Sequence, residues 1–369
     1  MSKRLEGIGW YNFELLKAMA KAHPETEFIC FFDRKVDPVF IVEPNIIPVV
    51  LHPMARHPFL FYVWFQWSVR RALAKYRVDV FFSPDGFLCL NTSVPTLLTM
   101  HDLAYIAYPE ALVKMDLWHY RRFVPKFIRR ADHILTVSDF VKKEIETYFP
   151  EAKGKITSIH NGLRDGFRAL SVEEQDSVRE KLTDGKEYFF YLGAIHPRKN
   201  IHRLIEAFDL FCAQNPQNDH QLVIGGRLAW QSGPVEKALR NSRFRSRIHL
   251  IGSVEEAQLP LIVASANAIV YMSLYEGFGL PIIEAMQSGV PVITSKDTAM
   301  DEIAGDAALL ADPQSAQSIA DALVLVTSDS VLRKNLIDAG KERVMSFSWD
   351  HAADEVYLIL MQLASSKRL

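Results

Sequence analysis

The sequence predicts an α/β protein of two domains, each built around a parallel β-sheet. The chain has 369 residues, more than one compact core usually holds. Short apolar runs rich in β-branched and aromatic residues alternate with segments of helical period along the whole chain. The apolar runs are nearly continuous, which is typical of strands that helices cover on both faces.

The predicted elements form two series separated by a polar stretch. The predicted strands are Glu27–Phe32, Ile46–Val50, Val78–Ser83, Thr96–Met100, His133–Val137, Tyr188–Leu192, Gln221–Ile224, Ile248–Ile251, Ala268–Met272, Pro291–Thr294 and Ala308–Leu310. The predicted helices include Gly9–Ala22, Arg122–Ala131, Ile201–Cys212, Pro281–Gln287 and Ala316–Thr327. Residues 164–184 are polar and contain no strand-like run, so we expect a linker there.

This pattern predicts an N-terminal domain over residues 1–165 and a C-terminal domain over residues 186–345. Residues 346–369 have a helical period, and we expect that helix to cross back to the first domain. The residues before Gly7 are too polar for the buried central strand with which a doubly wound sheet begins. We therefore expect the reading frame to continue upstream into an apolar strand.

The composition predicts a cytoplasmic protein. Hydrophobic residues make up 49% and charged residues 23% of the chain, as in soluble globular proteins. No apolar run reaches the roughly 18 residues that a transmembrane helix needs, and Met1–Glu6 lacks the pattern of a signal peptide. Three scattered cysteines give neither a disulfide framework nor a zinc pattern.

Charge is unevenly distributed along the chain. Residues 1–168 hold 23 Lys and Arg against 18 Asp and Glu, whereas the remainder holds 19 against 26. A mildly basic first half favours an anionic partner such as phospholipid or pyrophosphate, although a chance distribution of surface charge explains it equally well. With a net charge of −2, we expect no nucleic-acid partner.

The most specific motif runs from Tyr275 to Met286, with the sequence YEGFGLPIIEAM. It follows a predicted strand and begins a helix, with Pro281 suited to the first turn. Its glycines allow the backbone to approach a ligand closely. The amides of Phe278, Gly279 and Leu280 are then an anion site at a helix N-terminus.

Two glutamates flank this glycine turn. Glu276 precedes the helix and Glu284 lies about one turn inside it. One carboxylate can face a transferred sugar while the other reaches a ribose diol. The alternative is a glycine-rich turn with Glu284 as a surface helix residue.

A second motif, GAIHPRKN, covers residues 193–200 between a strand and a helix. Arg198 and Lys199 lie at the strand's carboxyl end, where open α/β sheets bind ligands. Cations at a helix N-terminus oppose the helix dipole and therefore indicate a local anion. A departing nucleoside diphosphate needs such neutralisation, whereas the alternative is an ordinary basic helix start.

Less specific signals lie in the first half. Gly9, in the segment Gly7-Ile8-Gly9 before a helix, is a candidate phosphate contact. His101 ends a predicted strand beside Asp102, where a functional and a structural role are equally supported. Ser138 is most simply a helix cap, and His160-Asn161-Gly162 is predicted as a turn, with a hinge as the alternative.

Two segments combine aromatic and basic residues. Residues 59–67 are followed by Arg70, Arg71, Lys75 and Arg77, and residues 118–123 are followed by Lys126, Arg129 and Arg130. This combination suits the surface of an anionic membrane, whereas an aromatic stripe at helical spacing is more commonly part of a core.

Several common motifs are missing from the sequence. It contains no Asp-x-Asp, His-Glu-x-x-His, Cys-x-x-Cys or P-loop motif. This favours metal-independent chemistry in which Arg198, Lys199 and backbone amides balance the phosphates. A dinucleotide oxidoreductase is disfavoured because Gly7-Ile8-Gly9 lacks the third glycine of its fingerprint.

The motif from Glu276 to Glu284 resembles the E-x7-E signature of retaining GT-B glycosyltransferases of family GT4. Other segments appear in the order of that family: Gly7-Ile8-Gly9, His101-Asp102-Leu103, Thr136-Val137-Ser138, Asn161-Gly162 and Pro197-Arg198-Lys199-Asn200. The resemblance spans nearly the whole chain and is most similar to the bacterial mannosyltransferase-like branch that builds surface polysaccharide. It implies two Rossmann-like domains facing a cleft, and transfer with retained configuration.

The resemblance also implies roles for individual residues. Arg198 and Lys199 match cations that bind the diphosphate, and Glu284 matches the carboxylate that binds ribose. Glu276 matches the carboxylate beside the donor sugar, His101 a residue at the sugar and acceptor, and Gly9 the loop near the phosphates. Many relatives have an arginine where this chain has Ala194, so Arg198 and Lys199 carry more of the charge.

The resemblance implies a GDP- or UDP-linked sugar as co-substrate, with no other cofactor and no metal. The acceptor is a glycan or a lipid-linked glycan, and the hexose favoured is mannose. The alternatives are a catalytically silent protein that only binds nucleotide-sugar, and a sugar-nucleotide epimerase that needs no acceptor.

Overall fold

The computed structural model describes residues 7–55, 58–227 and 233–366. These residues form two compact units. The first unit comprises Met1–Gly162 together with Ser348–Leu369, and the second comprises Leu163–Phe347. The predicted α/β class is confirmed, since every strand pair in both units is parallel.

The described residues of the first unit form six strands in two sheets. They are β1 (Phe28–Phe32), β2 (Ile46–Val50), β3 (Phe81–Ser83), β4 (Thr96–Met100), β5 (His133–Thr136) and β6 (Ile156–Ser158). Strands β1 and β2 pair with each other, and the other four follow the order β3-β4-β5-β6. β4 is buried along its whole length, as a central strand covered on both faces requires.

Helices of the first unit cover these sheets. They are α1 (Gly7–Ala22), α2 (Pro58–Val63), α3 (Arg70–Lys75), α4 (Ala104–Ala107), α5 (Lys114–Arg130), α6 (Asp139–Tyr148) and a C-terminal helix, Trp349–Ser366. The C-terminal helix packs against α1. A π-helical segment, Trp64–Val69, connects α2 to α3.

The two aromatic segments divide between core and surface. Trp64 and Phe65 are buried in the core of the first unit, and Phe61 packs against it. In contrast, Phe59 is 67% exposed, Trp67 58% and Trp118 62%. Packing in the core therefore explains the buried aromatic residues of these segments, but it does not explain the exposed Phe59, Trp67 and Trp118.

In the second unit, the part that the structure describes forms one six-stranded sheet. Its strands are β7 (Tyr188–Leu192), β8 (Gln221–Gly225), β9 (Ile248–Gly252), β10 (Ala268–Tyr271), β11 (Val292–Ser295) and β12 (Leu309–Ala311). They follow the order β12-β11-β10-β7-β8-β9, which is the doubly wound order with β7 as its first strand. The order reverses between β7 and β10.

Helices pack around this sheet. They are α7 (Val172–Thr183), α8 (Ile201–Gln214), α9 (Gly233–Asn241), α10 (Leu259–Ala264), α11 (Leu280–Gln287), α12 (Ala299–Ala304), α13 (Ala316–Ser328) and α14 (Ser330–Arg343). The C-terminal helix of the first unit is α15. α7 lies in the segment predicted as a linker, where Ser171 and Glu174 form a capping box. That segment is therefore a helical part of the second unit.

The prediction of an incomplete first strand falls on Met1–Glu6, which lie outside the described residues. Among residues 7–55, 58–227 and 233–366, no helix is both long and apolar enough to cross a bilayer.

Candidate active site

The candidate site of the second unit lies where its strand order reverses. β7 leads into a 3₁₀ turn, Pro197–Lys199, and β10 leads into the glycine turn around Gly279. A crevice at the carboxyl ends of strands that diverge in this way is where open α/β sheets bind ligands. The two loops are held together by a hydrogen bond of 2.8 Å from the Leu274 amide to the Arg198 carbonyl.

Lys199 and Glu276 form an ion pair in this crevice. Lys199 Nζ donates to Glu276 Oε1, and Arg198 Nη1 lies 4.0 Å from Glu276 Oε2. All three side chains are largely buried, with exposed fractions of 15%, 11% and 19% for Lys199, Glu276 and Arg198. The structure thus brings Glu276 together with two adjacent cations that lie nearly eighty positions before it in the sequence.

The Glu276 carboxyl has a pKa below its ordinary value. Burial alone would raise this pKa, but the charges of Lys199 and Arg198 outweigh burial and lower it. The group is therefore a carboxylate at neutral pH, with two cations sharing one anion. This excess of positive charge suits an additional anionic ligand.

Tyr271 links the two members of the ion pair. Lys199 Nζ donates to the Tyr271 hydroxyl at 3.2 Å, and that hydroxyl donates to Glu276 Oε1 at 3.3 Å. The Tyr271 ring stacks on Tyr191 of β7, with ring centroids 5.9 Å apart. The Tyr191 hydroxyl is buried and has no hydrogen-bond partner among the described residues.

The glycine turn that precedes α11 depends on Gly279. Gly279 caps α11 with φ of 110°, in a region that favours glycine. A Cβ there would lie 3.0 Å from Ile282 Cδ1 and 3.3 Å from Met300 Cγ. Phe278 is buried beside Phe347. Because α11 begins at Leu280, the backbone amides of Phe278, Gly279 and Leu280 lie at a helix N-terminus.

Glu284 lies inside α11 and is only 1% exposed. Arg164 Nε donates to Glu284 Oε1 at 2.7 Å. Burial raises the pKa of this carboxyl, and the charge of Arg164 offsets part of that rise. The alternative interpretation of Glu284 as a surface helix residue is wrong, because the side chain is buried and paired with a cation.

His101 lies in the first unit, directly after β4. Its Nε2 is 2.7 Å from the Pro84 carbonyl, and since a carbonyl only accepts, Nε2 carries the proton and Nδ1 is an acceptor. Its ring meets Tyr11 edge-on at 4.8 Å between centroids. Burial lowers its pKa, so the imidazole is neutral at neutral pH. Gly9, the candidate phosphate contact, lies in the first turn of α1.

Other predicted residues of the first unit have structural roles. The Ser138 hydroxyl accepts from the Val141 amide at 3.3 Å and caps α6. Gly162 packs so closely on Trp349 that a Cβ there would lie 2.3 Å from the Trp349 amide nitrogen. Within the described ranges, no group of three or more His, Cys, Asp or Glu side chains is arranged to hold a metal ion.

Sequence reasoning missed three residues of the second unit's site. Tyr191 and Tyr271 are buried in strands, where a hydroxyl adds no visible pattern. Arg164 lies 120 positions from Glu284, in the stretch that was predicted to be a linker. Tyr191 and Tyr271 each lie on a strand that leads into one of the two motifs. That shared position was the one sequence signal that could have identified them as site residues.

Comparisons with known protein families match both units. The family model described as Glycosyl transferases group 1 matches residues 172–343. The model described as Glycosyltransferase Family 4 matches residues 5–165. Together the two models cover most of the chain.

Similar proteins of known name include two bacterial enzymes. The chain is 29% identical over 362 residues to the O-antigen chain mannosyltransferase B of Escherichia coli, covering 95% of this chain and 94% of that protein. It is 26% identical to the O-antigen chain mannosyltransferase RfbU of Salmonella typhimurium, over 86% of each chain.

Solved structures show the same fold. HepE of Anabaena in complex with UDP-glucose has a TM-score of 0.72 and 17% identity, covering 98% of both chains. Two Rossmann-like units with parallel sheets are the GT-B architecture, and the family resemblance seen in the sequence motifs is confirmed. The chain belongs to the group 1, family 4 glycosyltransferases and has the GT-B fold.

Proposed function

We propose that this chain transfers a hexosyl group from a nucleotide-sugar to a glycan or lipid-linked acceptor, with retention of configuration. The observation that carries the proposal is the cluster of Lys199, Arg198 and Glu276 at the reversal point of the second sheet. The cluster combines two cations with one buried carboxylate. It thus offers charge for a diphosphate and a negative group for a developing oxocarbenium ion.

Each charged side chain has a distinct part in the proposal. Arg198 and Lys199 neutralise the diphosphate, whose charge grows as the glycosidic bond breaks. Glu276 faces the transferred sugar. Glu284, held by Arg164, accepts from the ribose hydroxyls. His101, neutral with Nδ1 free of a proton, is suited to accept a hydrogen bond from a sugar or acceptor hydroxyl.

The ion pair between Lys199 and Glu276 gives donor binding an electrostatic consequence. A diphosphate competes with Glu276 for Lys199. When Lys199 turns to the phosphate, Glu276 loses part of its neutralisation and becomes a stronger stabiliser of positive charge on the sugar. Tyr271 contacts both groups and limits how far either one moves.

Mannose from a GDP- or UDP-sugar is the donor group that the relatives favour, because two of them are named as O-antigen chain mannosyltransferases. A relative structure holds UDP-glucose, which supports a nucleotide-linked hexose more generally. We propose surface polysaccharide as the product and a metal-independent reaction. The enzyme would act in the cytoplasm at the inner face of the cell membrane.

The direct test is acceptor-dependent transfer followed by mass spectrometry, with GDP-mannose, UDP-glucose and ADP-glucose offered separately. We expect one hexose to be added per turnover, and NMR of the product to show the donor's anomeric configuration. Inversion would contradict the assignment of Glu276. Interconversion of two donors without an acceptor would indicate an epimerase, and donor binding without turnover a silent binding protein.

Contact with an anionic membrane is proposed for the first unit. Phe59 and Trp118 are exposed apolar side chains. Arg121 and Arg122, which follow Trp118 in α5, are exposed too, and this combination suits an anionic lipid surface. Sedimentation with anionic vesicles should fall as salt rises. Equal binding to neutral vesicles would contradict the proposal.

A further inference from the structure

An open groove of about 1130 Å³ lies in the first unit. Its lining includes Trp67, Arg70 and Arg71 of the first aromatic and basic segment, but none of the residues assigned above to the sugar or the nucleotide. Its walls include Asp79, which precedes β3, and Asn91–Ser93, which precede β4. Parallel strands all begin at one edge of a sheet, whereas His101 follows β4 at the opposite edge. The five residues of β4 span roughly 16 Å at 3.3 Å per residue, so the groove is separate from the His101 site.

The groove is strongly basic. Arg70, Arg71 and Arg77 line it, against Asp79 as the one carboxylate among its lining residues. All three arginines are exposed, and none forms an ion pair within the described part of the chain. The Arg71 guanidinium lies over the exposed ring of Trp67, 5.5 Å from its centroid. Guanidinium groups are the side chains best matched to phosphate oxygens.

Hydrogen bonds of Gln66 and Arg130 hold the two walls of the groove in place. Gln66 of the π-helical segment is 4% exposed. It donates to the Leu88 carbonyl at 2.9 Å and accepts from the Leu90 amide at 2.8 Å. On the other wall, Arg130 donates to the Thr92 carbonyl at 2.7 Å. π-Helical turns are rare and are concentrated at functional sites.

Arg77 occupies a position where folding alone favours glycine. It follows α3 with φ of 51°, in the left-handed region. The Arg77 amide donates to Ala74 and the Val78 amide to Leu73, which is the helix-ending motif that prefers glycine at this residue. Glycine at this position would therefore relieve backbone strain, so the Arg77 side chain can be removed without a loss of stability.

We infer that this groove is a binding site for the phosphate group of a phosphate ester, distinct from the nucleotide-sugar site. Arg70, Arg71 and Arg77 donate to the phosphate oxygens, and Asn91–Ser93 supply neutral polar groups. Trp67 covers the organic part of the ligand. The ester is either a phospholipid headgroup or a soluble sugar or glycerol phosphate.

The test is calorimetric titration of the full chain with glycerol 3-phosphate, and separately with short-chain phosphatidylglycerol below its micelle concentration. The variants are Arg77→Gly and the double change Arg70→Gln/Arg71→Gln. We expect saturable binding that falls about tenfold or more in Arg77→Gly, the effect of losing one charge-assisted contact, and further in the double variant, which loses two. Arg77→Gly should unfold at the same or a higher temperature than the parent chain, so lost binding would not reflect misfolding.

Two control variants locate the binding. Arg240→Gln removes an exposed arginine of the second unit, and Lys199→Ala removes a cation of the nucleotide-sugar site. Both should bind like the parent chain. Binding of glycerol 3-phosphate would identify a soluble ester as a ligand, and binding of the lipid alone a headgroup. Absence of saturable binding to either compound, normal binding by Arg77→Gly, or loss in Lys199→Ala would overturn the inference.

Discussion

Glu276 and Glu284 belong to one motif and are both buried, yet their surroundings shift their pKa values in opposite directions. Glu276 lies in a loop between two cations, which lower its pKa despite burial. Glu284 lies inside α11 with one cation, and burial raises its pKa. Glu276 lies beside two cations because Arg198 and Lys199 follow β7 at the point where the strand order reverses, whereas Glu284 lies beside one. This difference in the number of nearby cations accounts for the opposite pKa shifts.

This difference assigns the two carboxylates to different work. A carboxylate that stays ionised between two cations can respond to the charge of a reacting sugar. A carboxylate enclosed in a helix and fixed by Arg164 is better suited to hold a neutral hydroxyl in place. Substitutions at the two glutamates and at their neighbours test this division of roles.

Lys199→Ala should have the largest effect on turnover. It removes a cation that stabilises the departing diphosphate, and such a loss is expected to lower kcat by about 10²–10³, or roughly 2.7–4 kcal/mol. Steady-state kinetics in EDTA measures it, with Arg240→Gln as a control for lost surface charge. A Lys199→Ala enzyme within a few-fold of the parent would remove Lys199 from the reaction.

The two glutamates should separate in steady-state kinetics. Glu276→Gln should lower kcat by about 10²-fold, because its charge acts on the transition state. Glu284→Gln should chiefly raise the KM for the donor, because its contact is made equally in the ground and transition states. Equal changes in donor affinity from both substitutions would contradict the division.

The pH dependence of stability should also separate them. Since the folded state lowers the pKa of Glu276, its stabilising contribution is complete above the ordinary value of about 4.3 and is lost as pH falls through the folded pKa. For Glu284 the folded pKa is raised, so the contribution is complete below about 4.3 and is lost as pH rises through the folded pKa.

Urea unfolding of each glutamine variant across the acidic and neutral range measures these slopes. Glu276→Gln should reduce the loss of unfolding free energy as the pH falls below the ordinary glutamate pKa. Glu284→Gln should reduce the loss of unfolding free energy as the pH rises above that pKa. If both variants changed the pH dependence of the unfolding free energy in the same way, the surroundings of Glu276 and Glu284 would not shift their pKa values in opposite directions.

The smallest effect is expected from Tyr271→Phe. Its hydroxyl bridges Lys199 and Glu276, so its removal should cost about 0.5–1.5 kcal/mol, or roughly 2- to 12-fold in kcat/KM. Tyr191→Phe is the matched control, because the stacked Tyr191 hydroxyl has no partner among the described residues. Equal losses in the two variants would show that the hydroxyl contacts of Tyr271 are irrelevant.

The sequence predicted strands better than connections. β2, β4 and β7 have the predicted bounds because long apolar runs mark them. β6 was missed because only the first of its residues, Ile156, is apolar and buried, and α7 because its sequence is almost entirely polar. The motifs located Lys199, Glu276 and Glu284 on the right loops and helix. Their partners Tyr271 and Arg164 depend on contacts between distant segments. For Tyr271 the local signal was its place on a strand that leads into a motif, whereas Arg164 lies 120 positions from Glu284.

The most direct test of the account is calorimetric binding of a nucleoside diphosphate and its monophosphate in EDTA, using the base of the active donor. The central claim is that Lys199 and Arg198 neutralise the second phosphate without a metal. We predict that the parent chain binds the diphosphate about tenfold or more tightly than the monophosphate. This preference should disappear in Lys199→Ala. A preference that needs Mg²⁺, or that Lys199→Ala retains in full, would contradict the account.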